Sequence, residues 1–175
     1  RRWLWRATWF KKQALMVGYP TTSPSNPALK LYSSNDGVKF ETLVPELVKE
    51  GFPNESTVIF QKDGTALCLV RRDTKGFNGL LGRASAPYKE WQWVDVGGRI
   101  GGPNFIELPG GRLIGVVRLY DGKTRTSIVE FFPGGGMKEL EKLPSSGDSS
   151  YAGIVWHKGE VWTSYYSSHE GKTSI

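Results

Sequence analysis

Short apolar runs, each broken by a polar turn and answered by a second apolar run, recur along the chain. They read TWFKKQALMVGY, STVIFQKDGTALCLVRR, NFIELPGGRLIGVVRLY and GIVWHKGEVWTSYY. Each has the pattern of a strand, a tight turn and a returning strand. With Lys12, Gly64, Gly111 and Gly159 as equivalent turn positions, the spacings are 52, 47 and 48 residues. A period of that length belongs to the blade of a β-propeller, which is a four-stranded antiparallel sheet.

The second half of each blade is visible as well. ALKLYSSNDGVKFETLV, GLLGRASAPYKEWQWVDVG and TSIVEFFPGGGMKELEKL each carry a turn in mid-segment, and the fourth repeat stops at KTSI, inside its third strand. The pattern predicts an all-β chain of about four blade repeats in a single domain. Their approximate limits are 1–50, 51–98, 99–146 and 147–175, the last incomplete. Four repeats of this kind read as a portion of a larger ring. A compact four-bladed ring stays open, as does a homo-oligomer joined through unpaired blade edges.

Composition changes this picture little. With 175 residues, 38% hydrophobic and 13% aromatic, the chain can bury a real core, and its 22 glycines and 10 prolines suit many turns between short strands. Trp3 with Trp5, and Trp91 with Trp93, stand two apart on their strands and read as blade packing. A net charge of +6 favours anionic partners without choosing among acidic sugar, phosphate and nucleic acid. The basic residues are interspersed with acidic ones, so no nucleic-acid partner is assigned. No run approaches the roughly 20 apolar residues of a membrane-spanning helix, so no membrane partner is assigned either. The opening RRWLWRATWF has neither an initiator methionine nor a signal-peptide pattern, and reads as a processed or partial gene product. Cys68, in the apolar run TALCLV, reads as a buried inert thiol. His157 and His169 have no metal-ligand spacing, and the runs GGRIGGP and PGGGM lack the lysine and following helix of a phosphate loop. No metal and no cofactor is assigned.

Candidate chemistry comes from aligning the ends of the hairpins. Seven residues beyond the turn anchors stand Tyr19, Arg71, Arg118 and Tyr166; eight or nine before them stand Glu55, Gly102 or Pro103, and Tyr151. Each first strand starts beside the place where its partner ends. Glu55, Arg71, Arg118 and Tyr151 would therefore converge near the ring axis, where propellers place their ligand site. Bland readings stand beside this one: Arg71 with Arg72 as a solvated strand end, Tyr151 as a packed tyrosine with a tethered hydroxyl, Glu55 as a turn cap.

Two features resemble a known family. Ser33, Asn35, Asp36, Gly37 and Phe40 resemble the Asp-box turn of sialidases and related propellers. The order Glu55, Arg71, Arg118, Tyr151 is similar to that of exo-sialidases, as are the surroundings PNEST and GDSSYAGIVW. The resemblance implies a sialidase-type propeller of six blades when complete, and export to a secreted or periplasmic location. It implies removal of a terminal sialic acid or related acidic sugar with retention of configuration. Tyr151 would be the nucleophile and Glu55 its base, with Arg71 and Arg118 gripping the sugar carboxylate and Tyr166 and Tyr19 completing the substrate-binding set. The family's first arginine and its acid/base aspartate have no match here. Arg6 differs in context, and Asp73, Asp121 and Asp148 lie near the right face without the motif. Two alternatives remain: a non-catalytic propeller binding glycans or proteins, and a propeller glycosidase of another family, such as an arabinanase-like enzyme using two or three carboxylates.

Overall fold

The computed structural model describes residues 1–21 and 28–175. Among the described residues, fourteen strands form three four-stranded antiparallel sheets and one two-stranded sheet, each in sequential order. The first sheet holds β1 (Arg2–Phe10), β2 (Gln13–Pro20), β3 (Lys30–Ser34) and β4 (Glu41–Val44). The second holds β5 (Pro53–Phe60), β6 (Ala66–Arg72), β7 (Leu80–Ala84) and β8 (Gln92–Asp95). The third holds β9 (Ile100–Glu107), β10 (Leu113–Leu119), β11 (Arg125–Phe131) and β12 (Met137–Lys142), and the last pairs β13 (Ser150–His157) with β14 (Glu160–Tyr166). The chain is all-β, and these sheets are arranged as propeller blades.

Packing follows from which strands are apolar on both faces. In β6, Ala66, Cys68 and Val70 face one core, shared with Leu15 and Leu31 of the first sheet. The alternate Leu67 and Leu69 face a second core, shared with Phe105 and Val117 of the third sheet. A strand sandwiched between two sheets needs apolar side chains at every position, and ALCLV supplies them. Cys68 is fully buried there, and burial pushes its thiol pKa up, as an inert core thiol requires. The hairpins pack in sequence, β1 and β2 on β5, β5 and β6 on β9, β9 and β10 on β13. The first and last also meet, through Arg6 Nη2 donating to the Ala152 carbonyl at 3.1 Å and Trp5 lying 5.6 Å from Tyr151 between ring centres.

Two details differ from the sequence reading. In the turn after β3, the bonds come from Ser34 and Asp36 rather than Ser33 and Asn35: Ser34 Oγ accepts from Gly37 N at 2.9 Å, and Asp36 accepts from Val38 N and Lys39 N at 2.8 Å. The polar residues lie one place later because the turn closes tightly over Gly37, whose positive φ of 74° sets it under the indole of Trp9. In the fourth repeat the segment KTSI makes no strand. Ser174 forms only an isolated bridge with Ser167.

Candidate active site

Each inner hairpin is irregular at the same place. The register slips between Trp5 and Ala7, between Pro53 and Ser56, between Val116 and Arg118, and between Ser150 and Gly153. A bulge adds an unpaired residue and re-aims its side chain. Here the residues carried by the bulges are Arg6, Glu55, Gly102 and Tyr151. Arg6, Gly102 and Tyr151 have φ of 39°, 53° and 48°, and Ser150 has 112°. Left-handed conformations at non-glycine residues are costly and persist only where the surroundings hold them.

The bulges bring the sequence-predicted residues together. Tyr151 Oη donates to Glu55 Oε1 at 2.5 Å, while Glu55 Oε2 accepts from Arg71 Nη1 at 2.7 Å and from the Gly102 amide at 3.1 Å. Glu55 is 8% exposed, so its charge is desolvated and these donors replace water. At Gly102 a Cβ would sit 3.0 Å from the Tyr151 amide nitrogen and 3.1 Å from Ser150 Oγ, so close approach and positive φ both call for glycine. The Tyr151 phenol is pushed up from its ordinary value by burial first, then by the hydrogen bond and charge of Glu55, against a smaller pull from Arg71 and Arg118. It stays protonated at neutral pH. A base in contact with it is therefore needed before its oxygen can attack.

Both arginines are engaged inside the protein. Arg71 donates through Nε to Asp73 at 3.0 Å as well as to Glu55, and Asp73 is also held by Arg99 at 2.9 Å and Asn54 at 2.7 Å. Burial works against the Asp73 carboxylate, but the donors Arg99, Arg71 and Asn54 outweigh it and lower its pKa. Arg118 donates through Nε to the Ser149 carbonyl at 2.7 Å and through Nη2 to Asp148 at 2.6 Å, and its guanidinium lies 5.7 Å from the centre of the Tyr151 ring. Neither arginine has a whole fork free. Arg71 Nη2 takes no part in these bonds, while burial of the Arg118 guanidinium is outweighed by the Tyr120 and Tyr166 hydroxyls beside it and by Asp148, which raise its pKa.

Tyr166 stacks on Tyr151 at 5.9 Å between centres and 7° between planes, and its hydroxyl donates to Asp148 at 2.6 Å. Burial, then the Asp148 bond and charge, raise the Tyr166 phenol to about 12. Tyr166, Asp148 and Arg118 thus make a second tyrosine, carboxylate and arginine set beside the first, clamping the residues that lead into the Tyr151 bulge. Tyr19 lies across the mouth, where burial and the Glu55 charge raise its phenol against the pull of Arg71.

A cleft of about 380 Å³ opens above this group, walled by Trp3, Tyr19 and Phe52 and floored by Glu55, Arg71 and Tyr151. The opposite end of the hairpin ring has a larger hollow of about 780 Å³ beside Trp9 and Trp156, with Gln61 donating to Glu107 at 2.6 Å. It lacks the tyrosine, carboxylate and arginine contact. Sequence reasoning misses Trp3, Trp5, Phe52, Asn54 and Arg99 at or beside the site. The two tryptophans have the spacing of blade packing, and nothing in the pattern marks a residue recruited by a bulge. His157 and His169 are away from the cleft and both exposed, and among the described residues no three histidine, cysteine or acidic side chains gather as metal ligands do.

No protein-family model matches the sequence, and no curated protein matches it. Solved structures do. A Dyadobacter fermentans protein of unknown function superposes with a TM-score of 0.70 at 21% identity, over 88% of this chain and 46% of its own. An endo-arabinase from Bacteroides thetaiotaomicron superposes with a TM-score of 0.68 at 15% identity, over 92% of this chain and 68% of its own. A protein described as a putative exo-beta-1,3-galactanase from Bifidobacterium bifidum superposes with a TM-score of 0.53 at 10% identity, over 78% and 51%. The chain spans about half the length of the first and third. The likeness is one of fold, a propeller architecture shared with glycoside hydrolases, and a sialidase type is not among these matches.

Proposed function

We propose that the chain carries the reacting half of a retaining glycosidase site that acts on a terminal acidic sugar, with Tyr151 as nucleophile and Glu55 as its base. The observation that carries this reading is the short bond from the Tyr151 hydroxyl to a carboxylate whose other oxygen is held by Arg71 and a backbone amide. Tyr151 Oη attacks the anomeric carbon as its proton passes to Glu55, the bond to the leaving oxygen breaks, and that oxygen takes up a proton from solvent. Water then displaces the tyrosine, Glu55 returns its proton to the departing phenolate, the water's second proton passes to solvent, and the original configuration is restored. A neutral phenol suits an anomeric carbon that bears a carboxylate, because a carboxylate nucleophile would meet like charge. Arg71, on the floor of the cleft, offers that carboxylate its second amino group, one bond rather than a full fork, and Arg118 beside the Tyr151 ring adds positive charge.

A second reading comes from the arabinase and galactanase folds. Glu55 and Asp73 line the same cleft, as a neutral-sugar glycosidase built on two carboxylates would need, and Asp148 lies beyond Tyr151 on Tyr166. Against it, Asp73 and Asp148 are each tied to arginine. The test is release of 4-methylumbelliferone from its α-sialoside and from its arabinoside and galactoside by the purified chain, with Tyr151→Phe and Glu55→Ala beside it. This aryl leaving group departs without an acid catalyst, so an unassigned acid does not mask activity. Turnover of the sialoside alone, abolished in both variants, is the expected result. Turnover of a neutral glycoside that survives Tyr151→Phe would replace this reading with the second.

A further inference from the structure

The cleft extends beyond the reacting group along β1. Trp5 lies against the Tyr151 ring, and Trp3, two residues earlier, projects from the same face of the strand. Two residues of strand advance about 6.6 Å, which sets Trp3 one step further out than the group that touches the nucleophile. Trp3 pairs across the hairpin with Tyr19, and the two rings stack at 6.3 Å between centres and 13° between planes. That cross-strand pair fixes the indole plane. Yet Trp3 remains 58% exposed, and Phe52 on the neighbouring blade, held at a φ of 53°, is 46% exposed on the wall of the same cleft.

Large aromatic side chains are left open in a concave site where they meet a ligand that is itself two-faced. A pyranose is such a ligand, with a face of C–H bonds that stacks on a ring and a rim of hydroxyls. The surroundings offer that rim polar partners, since Asn54 and Asp73 also line the cleft. A volume of about 380 Å³ lies within the range of roughly 300–1,000 Å³ that holds small-molecule ligands.

We infer that Trp3, fixed on Tyr19 and faced by Phe52, forms a leaving-group subsite for a neutral sugar ring joined to the terminal residue that Tyr151 attacks. This rests on the proposed glycosidase reading and adds that the substrate is an oligosaccharide held by stacking, so the site selects for the penultimate sugar as well as for the terminal one.

The test is calorimetric titration of the Tyr151→Phe chain, which binds without turning over, with 3′-sialyllactose, N-acetylneuraminic acid and lactose. We expect sialyllactose to bind at least tenfold more tightly than the free acid. Adding Trp3→Ala brings the two within about threefold, and Trp3→Phe restores most of the gap. Trp3 is exposed, so a melting temperature close to that of the parent is expected and separates lost stacking from lost folding. An unchanged ratio in Trp3→Ala overturns the subsite and leaves the glycosidase reading standing. Binding of lactose lost in Trp3→Ala, with no binding of either acidic ligand, supports the subsite and overturns the acidic-sugar reading. Binding of none of the three overturns both.

Discussion

Replacing Glu55 by glutamine keeps the shape of the side chain and removes its charge. The carboxylate accepts from Tyr151, Arg71 and the Gly102 amide, and an amide has only one oxygen to offer. The glutamine will turn its carbonyl to Arg71 and Gly102, where two donors converge, and its amino group to the Tyr151 oxygen, which can accept. Arg71 keeps Asp73 as an ionic partner, so the loss is of a charge-assisted pair weakened to neutral bonds, about 2–3 kcal/mol. In a domain of this size that lowers the melting temperature by about 5–10 °C. The catalytic effect is larger. Losing a general base costs about 10²–10⁴ in kcat, or about 2.7–5.4 kcal/mol of barrier, with KM little changed because Glu55 touches the nucleophile and not the sugar. The sign of the pH effect comes from the same contact. Glu55 raises the Tyr151 phenol, so its removal lets the phenol ionise at lower pH, and residual activity climbs with rising pH where the parent levels off. Circular-dichroism melting and a pH–rate profile of aryl sialoside hydrolysis measure both. A variant with parental kcat and melting temperature would refute the assigned contact and the assigned role together.

Asp148→Asn removes the anchor shared by Arg118 and Tyr166, and Tyr166→Phe keeps the stack on Tyr151 while losing that anchor. Both should lower kcat about tenfold, with KM nearly constant in Tyr166→Phe and raised in Asp148→Asn, where Arg118 loses its ionic anchor; a KM effect alone in Tyr166→Phe would mark it as a sugar contact. Gly102→Ala, which puts a methyl group 3.0 Å from the Tyr151 amide at a left-handed backbone position, should cost about 1–3 kcal/mol in denaturant unfolding. An unchanged midpoint would show that the bulge relaxes freely. Glu139 is held down to about 2 by its bonds from Arg125 and Ser127, with burial opposing. A carboxyl depressed on folding contributes stability above its unfolded pKa, near 4.5, and loses it as pH falls towards 2. Glu139→Gln should therefore flatten the acid limb of the stability curve by about 1–3 kcal/mol, and a parallel curve would contradict the pairing.

The strands and turns were legible because the chain repeats itself. ALCLV and LIGVV, apolar at nearly every position, read as strands of the repeated hairpin, and the equivalent turn residues Lys12, Gly64, Gly111 and Gly159 gave the blade period. That Glu55, Arg71, Arg118 and Tyr151 come together was legible from their distance to those turns. Less so was what the arginines do. Their internal engagement depends on the Asp73 and Asp148 carboxylates and the Ser149 carbonyl, whose approach leaves no local pattern. The bulges were visible only as a one-residue discrepancy, with Tyr151 eight before its turn and Glu55 nine before its own. Trp3 and Trp5 were indistinguishable from blade packing, because a tryptophan on a strand reads the same whether it faces a core or a cleft.

The central claim is that Tyr151 forms a bond to the sugar. An acidic sugar bearing fluorine at the anomeric carbon as leaving group, and a second fluorine on the next carbon to slow release, should trap that bond. Intact-mass and peptide mass spectrometry of the treated chain should then show one adduct, on the peptide containing Tyr151, absent in Tyr151→Phe. An adduct on Glu55, or none while the aryl sialoside is still hydrolysed, would contradict the account.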